Sequence, residues 1–454
     1  MQPNRIARSE IVWDPSVYPR AKWSTATVDR YCEAHAAGET FPALVLEKGT
    51  NRLLDGKHRL LMYEKMGVDE VDACFAAIPE GVPVKLYAAS LSARHGDRLS
   101  NSDTKSLVRE VYANNPEFTQ ETVAKLLGIT QQTVSGYVSD ILAKRREERR
   151  AKVLRLTMLG WTQAEIADRL GTARTTITAD VKNTDADISD ILSSGHTPEE
   201  IALRLGWPVQ LVRAKQLEQS DDVARLDALG IKIQPYDVWH FPGCHDLMGD
   251  KHPGRIPGEL LAHVLYFYTQ PGDLVIDPMA GSGTTLDACL LMGRKARGYD
   301  VDHRHERIDV EEHDMAGGWP ETTKKASLVF WDPPYFDKMD DTNVQDGYCD
   351  KSISKLTREA YLAFFLDRLS ELRTVTPKKC RLAFLMADWN DNDDKQDGIF
   401  IWDYASIIQR AGWTLTRHIQ VPLSTQQVHP DIVNKYRASR KLARLERYLL
   451  MGVK

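Results

Sequence analysis

The sequence predicts an α/β sheet domain in its C-terminal half, preceded by an all-helical region and a small α+β segment. Three observations point there. From about residue 223 to the end, short apolar runs alternate with helical stretches, as strands and their crossover helices do. From about 99 to 222 the pattern is helical throughout, and one short phrase recurs three times. Before that, brief β runs mix with helical pieces. The expected division is therefore 1–98, 99–222 and 223–454.

In the first region, PALVLEKG reads as a strand entering a turn, and LLDGKHRLLMYEKMG as a turn entering a helix. The recurring phrase of the second region begins at Thr119 (TQETVAKLLGITQQTV), Thr162 (TQAEIADRLGTARTTI) and Thr197 (TPEEIALRLGWPVQLV). Each Thr suits a helix N-cap. Val or Ile, Ala and Leu form one apolar face. A glycine, Gly128, Gly171 or Gly206, then stands where the chain must turn. A second helix follows each glycine, which is the helix-turn-helix pattern; its second helix can enter a major groove. In the first unit that helix, Thr130 to Ser139, exposes Gln131, Gln132 and Ser135; in the second, Arg174, Thr175 and Thr176 hold the equivalent face. Three helical hairpins packed on each other or on a partner protein give the same pattern. The run AKRREERRAKVLR, Ala143 to Arg155, suits phosphate contact or a solvated helix face equally.

In the third region, DLVIDPMAGSGTTLDACLLMGRKARGYDVD runs from Asp273 to Asp302. LVID is a buried strand. Ala280–Gly281–Ser282–Gly283 lets the backbone turn tightly against a ligand, and Thr284 opens a helix to about Met292. A second strand ends at Asp300, placed to accept hydrogen bonds from ribose hydroxyls. Further on, SLVFWDPPYF is another buried strand, ending in Asp332–Pro333–Pro334–Tyr335. Two prolines remove two N–H donors and leave carbonyls, a carboxylate and an aromatic face at the carboxyl end of a strand. Such a turn suits an amino group: Asp332 and the Pro333 carbonyl accept its two N–H bonds, and Tyr335 stacks on the ring that bears it. CRLAFLMADW reads as the next strand, with WTLTRHIQVPL and RLERYLLMGVK as a terminal antiparallel pair.

Composition is that of a globular chain, 42% hydrophobic and 27% charged over 454 residues. The net charge of −5 restricts any nucleic-acid contact to local patches. No apolar run approaches the roughly 20 residues that span a bilayer, and the N-terminus MQPNRIARSE lacks the apolar stretch of a secretory signal. Six scattered cysteines without CxxC spacing make a structural zinc site unexpected and suit a reduced, cytoplasmic protein; no membrane partner is expected.

On the glycine turn and the Asp-Pro-Pro-Tyr motif, residues from about 236 to 454 resemble the DNA amino-methyltransferases, the N6-adenine and N4-cytosine enzymes. The resemblance implies a Rossmann-like domain dependent on S-adenosylmethionine, with no metal. It places Asp332, Pro333, Pro334 and Tyr335 in catalysis. HPGRIPGELLAHVLYFYTQPGD, from His252, is similar to the segment over the methionine moiety, so Pro253, Arg255 and Pro257 line the cofactor pocket. Asp277, Ala280, Gly281 and Gly283 hold the cofactor turn, Asp300 binds the ribose, and Asp314 meets the adenine or is an ordinary loop carboxylate. The polar loop from Asp337 to Lys355 (Asn343, Gln345, Tyr348) closes over the target base or is a surface loop. Near the C-terminal end, Gln426, Gln427, Lys435, Arg437, Arg440, Lys441 and Arg444 form a DNA-facing element or a solvated helix.

FPALVLEKGTNRLLDGKHRLLMYEKMG, followed by SLSARHGDRLS, is similar to the N-terminal domain of ParB and sulfiredoxin-like proteins. That resemblance puts Gly56, His58 and Arg59 against nucleotide phosphates or another anion, and a helix N-terminus there favours one. Lys57 stands where sulfiredoxin has its catalytic cysteine, so that redox activity is not expected. Ser92 and Arg94 match ParB's second nucleotide-contacting stretch only loosely.

The expected function is methylation of the exocyclic amine of a flipped base in double-stranded DNA, adenine N6 ahead of cytosine N4. RNA amino-methylation and a non-enzymatic ParB-like DNA-binding protein are the rival classes, and a homodimer stays open. A restriction-modification setting stays open. The helix-turn-helix region would read the DNA, leaving 223–454 self-sufficient for the cofactor.

Overall fold

The computed structural model describes residues 3–94, 99–115, 118–193, 195–251, 255–302, 306–336, 352–390, 398–422, 430–438, 440 and 446–454. Contacts divide the chain into two compact units, Met1–Arg146 and Glu147–Lys454. Both expected boundaries, near 98 and near 222, fall inside a unit.

The first unit starts with β1 (Asn4–Ala7), α1 (Thr25–Ala36), β2 (Leu44–Glu47), β3 (Leu53–Asp55), α2 (Lys57–Lys65) and β4 (Glu70–Ala76). The strands form one mixed sheet in the order β1-β4-β2-β3, with β2 and β4 parallel and the outer pairs antiparallel. Ile6, Leu44, Leu46, Leu53, Leu60, Val71 and Ala73 fill its core. Next come α3 (Val84–Arg94), α4 (Asn101–Asn114), α5 (Gln120–Leu127) and the start of α6 (Gln131–Met158). Leu86, Leu107, Val111, Val123, Leu127, Val134 and Val138 join them in a second core.

The three repeated phrases fold as their local chemistry requires. Thr119, Thr162 and Thr197 are N-caps whose hydroxyls accept from the backbone N–H three residues on. Glu165 and Glu200 complete reciprocal capping boxes with the last two. Gly128, Gly171 and Gly206 end the helices at φ 65°, 58° and 68°, where a side chain would be strained. The resulting pairs are α5/α6, then α7 (Gln163–Leu170) with α8 (Arg174–Leu192), then α9 (Pro198–Leu205) with α10 (Val209–Gln216).

α6 departs from the sequence reading. Rather than a helix from Thr130 to Ser139, it runs 28 residues and absorbs the basic run. Three arginines of that run are tied to acids, and one of them is buried. Arg149 pairs with Asp180 at 2.6 Å, Arg150 with Asp187 at 3.1 Å, and Arg155 is 8% exposed between Asp287 and Asp309. Those acids lie 31, 37, 132 and 154 residues away, where no local spacing announces them, while Arg150 also pairs with Glu147 one turn earlier at 3.1 Å.

The second unit continues with α11 (Asp222–Ala228), α12 (Gly258–Tyr268), β5 (Leu274–Asp277), α13 (Thr284–Leu291), β6 (Lys295–Asp300), β7 (Val310–Glu312) and β8 (Leu328–Trp331). It closes with α14 (Arg358–Val375), β9 (Arg381–Met386), the short β10 (Trp389–Asn390) and β11 (Gly398–Ile399), α15 (Ile401–Arg410), β12 (Thr414–Gln420), α16 (Pro430–Ala438) and β13 (Tyr448–Val453). Seven strands form one sheet in the order β12-β13-β9-β8-β5-β6-β7. β9-β8-β5-β6-β7 is parallel, and β13 and β12 add the expected antiparallel edge.

Successive strand residues face opposite cores. Val275, Leu328, Phe330 and Ala383 pack with α12 and α13. Ile276, Val329, Trp331 and Phe384 pack with α14 and α15. The sheet is thus covered on both faces, as a Rossmann-like sheet is. Chain order reverses between β5 and β8, so the crevice beyond their carboxyl ends is the switch point where such sheets bind ligands.

Helices α7 to α11 belong to this unit. Trp161, Ile166, Ile177, Ile201, Trp207 and Leu211 share one core with α12 and α13. Polar ties reinforce the apolar ones. Arg294, fully buried, donates to Asp222 at 2.9 Å and to Thr269 Oγ1 at 2.9 Å. Arg297 donates to the Leu159 carbonyl at 3.1 Å, and Arg225 to the Leu291 carbonyl at 2.8 Å. Among the described residues no helix is long and apolar enough to cross a membrane.

Candidate active site

β5 ends at Asp277 and the chain turns through Ala280–Gly283 into α13. The turn is held from both sides. The Ala280 N–H donates to the Tyr299 carbonyl at 2.8 Å, and the Gly281 N–H to Asp300 Oδ2 at 2.8 Å. Asp300, at the end of β6, also accepts from the Asp302 N–H at 2.9 Å. Gly281 lies at φ 47°, and a Cβ added there would meet nothing within 4 Å, so the turn opens onto free space. Gly283 differs. At φ 78° it caps α13, and a Cβ would lie 2.2 Å from the Arg307 guanidinium. The first glycine leaves room for a ligand, and the second leaves room for an arginine.

Asp332 follows β8 directly, with Tyr335 Oη donating to its Oδ1 at 3.1 Å. Tyr361 Oη donates to the Pro334 carbonyl at 2.9 Å. Among the described residues no donor reaches the Pro333 carbonyl, the acceptor expected to face an amine. Beneath the motif Trp331 is fully buried in edge-on contact with Trp319, Phe365 and Phe384. This rigid aromatic floor fixes where Asp332 emerges.

The electrostatics are those of crowded carboxylates. Burial pushes Asp277 up to about 7, and the like charges of Asp332 and Asp300 push it the same way. Burial also raises Asp332 to about 6, opposed by the charge of Arg447 and by the Tyr335 hydrogen bond. Arg447, 5% exposed, donates its Nε to the Val421 carbonyl at 3.3 Å. Sequence reasoning gave Arg447 no role beyond its place in the last strand segment, because its nearness to Asp332 exists only once β13 enters the sheet.

The remaining expected cofactor residues divide. Pro257 caps α12, and Arg255 turns back to the Gly249 carbonyl at 2.8 Å. A Cβ on Gly249 would strike Thr284 Oγ1, Arg255 Cδ and Ser282 Oγ at 2.3, 3.0 and 3.2 Å, so this segment packs against the glycine turn. Asp314 is exposed beyond β7 and caps a short turn by accepting from Ala316 N–H at 2.9 Å. Pro253 lies outside the described residues, as do Asn343, Gln345, Tyr348, Gln426, Gln427, Lys441 and Arg444.

The proposed DNA-facing residues do not converge on one element. Gln131 and Gln132 are exposed and Ser135 half-buried on α6 in the first unit. Arg174 and Thr175 are exposed at the start of α8, and Arg437 is exposed on α16, the helix that also contains Lys435 in its sequence. In the first unit Gly56 caps α2 at φ 106°, as expected of a tight turn. His58 Nε2 accepts from the Ser24 N–H at 3.0 Å, and Arg59 is occupied by the Pro42 and Ala43 carbonyls and Asp55. These residues line a cavity of about 120 Å³, where Lys57 lies 3.8 Å over the Trp13 ring. Arg59 therefore braces the turn.

Residues 207–311 match the family described as DNA methylase. The chain is 34% identical over 84 residues to DNA adenine methyltransferase YhdJ of Escherichia coli (strain K12), 18% of this chain and 29% of that protein. It is 38% identical over 71 residues to type II methyltransferase M2.MboI of Moraxella bovis, 15% of this chain and 26% of that protein. The matches thus span less than a third of each of these relatives. A DNA-bound chromosome-partitioning ParB structure from Caulobacter crescentus shares 13% identity over 30% of this chain and 69% of that one, at a TM-score of 0.24. The family match begins inside the helical region, at the turn between α9 and α10, in keeping with the shared core described above. The similarity to the DNA methylase family thus lies in residues 207–311, at the glycine turn and the strands that hold it.

Proposed function

We propose that this chain transfers a methyl group from S-adenosylmethionine to an exocyclic amine of a DNA base, adenine N6, with the base turned out of the duplex. The carrying observation is the juxtaposition at the switch point. Asp332, with its Tyr335 hydrogen bond, stands at the end of β8, beside the open Gly281 turn and Asp300 at the ends of β5 and β6. The residues present fit the donor. Gly281 leaves space at the turn, and Asp300 and Asp314 stand at successive strand ends. Pro257 and Arg255 line the segment packed on the turn. When bound, the donor supplies a methyl group on a sulfonium sulfur, whose neutral leaving group needs no metal.

The protein's share is positioning and proton handling. Asp332 and the Pro333 carbonyl accept the two N–H bonds of the amine, which leaves the nitrogen lone pair free for the methyl carbon. Tyr335 offers a ring face to the base while its hydroxyl steadies Asp332. Raised to about 6, Asp332 is basic enough to take the proton the methylated nitrogen sheds. The exposed side chains of Gln131, Gln132, Arg174, Thr175 and Arg437 are the candidates to meet the duplex.

Adenine is favoured over cytosine because Asp, rather than Ser, opens the motif, and because YhdJ is named as an adenine enzyme. The test is nucleoside analysis by mass after reaction with unmethylated DNA, with RNA in parallel. N6-methyladenine in DNA is the expected product. N4-methylcytosine would overturn the base, methylated RNA alone would overturn the substrate, and no methyl transfer would overturn the reading.

A further inference from the structure

Four buried charges lie beneath the glycine turn, and one of them comes from the helical region. Asp287, in the first turn of α13, and Asp309, just before β7, are each about 1% exposed. Between them lie Arg307 and Arg155. Arg307 donates to Asp287 Oδ1 at 2.9 Å and to Asp309 Oδ1 and Oδ2 at 3.1 Å. Arg155, from α6, donates to Asp309 Oδ2 at 2.6 and 2.8 Å and to Asp287 Oδ1. The charges balance, two against two.

The cluster reaches the turn directly. Arg307 also donates to the Ser282 carbonyl at 3.1 Å, passing through the slot that Gly283 keeps open by lacking a Cβ. On its other side, Asp287 Oδ2 accepts from the Gly249 N–H at 2.7 Å, and the Asp250 N–H donates to the Ser282 carbonyl at 3.0 Å. Both walls of the turn therefore hang on Asp287 and Arg307. The orientation of those two side chains is shared with Arg155.

We propose that Arg155 is a positioning residue for the cofactor turn, through which the helical region sets the shape of the methyl-donor site. Without Arg155, two buried carboxylates share one guanidinium. Arg307 then has to serve both, and its bond to the Ser282 carbonyl is the one it can give up, because the charged partners hold it more strongly. The turn loses its brace while the sheet around it stays. This inference rests on the turn being the S-adenosylmethionine site.

The test uses the full chain carrying Arg155→Met or Arg155→Lys. Arg294→Met serves as the control, since it breaks an equally buried ion pair away from the turn. All are studied at a temperature where circular dichroism shows them folded. Hydrogen–deuterium exchange is read on peptides covering 278–284, and S-adenosylhomocysteine affinity by calorimetry. Arg155→Met is expected to speed exchange in that peptide at least tenfold and to weaken affinity about tenfold. KM for the donor should rise while kcat changes less than threefold, and Arg155→Lys should recover part of each effect. Unchanged exchange in Arg155→Met, or equal changes in the Arg294→Met control, would overturn the proposal. Absence of binding in the unsubstituted chain would instead strike the cofactor reading, with the exchange data still deciding the role of Arg155. Should Arg155→Met not fold, Arg155→Lys carries the same comparison.

Discussion

Replacing Asp332 with Asn should stabilise the protein above pH 6 and leave it unchanged near pH 4. Burial raises the Asp332 carboxyl from the ordinary 3.8 to about 6 even with Arg447 and Tyr335 opposing it. A raised folded-state pKa means the protonated form is the one the fold favours. Its contribution is fully present below the unfolded-state value near 4 and is lost as pH rises through about 6. Above pH 7 the native chain therefore holds a carboxylate at a cost of up to about 3 kcal/mol, at about 1.4 kcal/mol per tenfold. Asp332 keeps partial solvent contact, which trims this to about 1–3 kcal/mol. Asn has nearly the same shape and can still accept from Tyr335, so it removes the charge and little else. Thermal melts of the two proteins from pH 4 to 8 are the assay. The expected gap opens between pH 4 and 6 and reaches about 2–6 °C at pH 8 in favour of Asp332→Asn. A gap of the same size at pH 4 and pH 8, or a less stable variant at pH 8, would refute the reasoning. Transfer by the native enzyme should fall about tenfold per pH unit below 6, as the acceptor is protonated.

Asp332→Ala should abolish transfer while S-adenosylhomocysteine affinity by calorimetry stays within a few-fold. A fragment 223–454 should fail to fold, whereas 147–454 should melt cooperatively by circular dichroism. The cut strips Arg155 from Asp287 and Asp309 and Asp222 from Arg294; each broken buried pair costs about 3–5 kcal/mol, against a whole-domain stability of about 5–15 kcal/mol. Arg174→Ala should weaken DNA binding and reduce its salt slope by about 1 in fluorescence anisotropy, with cofactor affinity unchanged.

Wherever a residue's task is met by its near neighbours in the chain, the sequence alone determined it. Thr119, Thr162 and Thr197 cap helices because their hydroxyls reach an N–H three residues on. Gly128, Gly171 and Gly206 end those helices because each sits at a positive φ that glycine alone adopts without strain. The glycine turn, its strand and helix, and the strand that delivers Asp332 were legible for the same reason: apolar periodicity and backbone freedom are local properties. Tertiary structure alone decided where the charges went. The basic run on α6 read as a phosphate-facing or solvated surface, yet Arg149 and Arg150 meet acids more than thirty residues along the chain and Arg155 is buried against two carboxylates farther still. The boundary near 222 reads as a shift from helices to strands, yet Asp222 is bound to a fully buried Arg294 and α10 packs in the core of α13. Arg59 carries the spacing of an anion-binding turn, while carbonyls brought in by β2 claim its guanidinium. Arg447 comes beside Asp332 only because β13 pairs antiparallel with β9, the neighbour of β8. Local patterns state which groups exist and what backbone they need. Which cation meets which carboxylate depends on contacts across 31 to 154 residues, and desolvation enforces that pairing only after the sheet has closed over it.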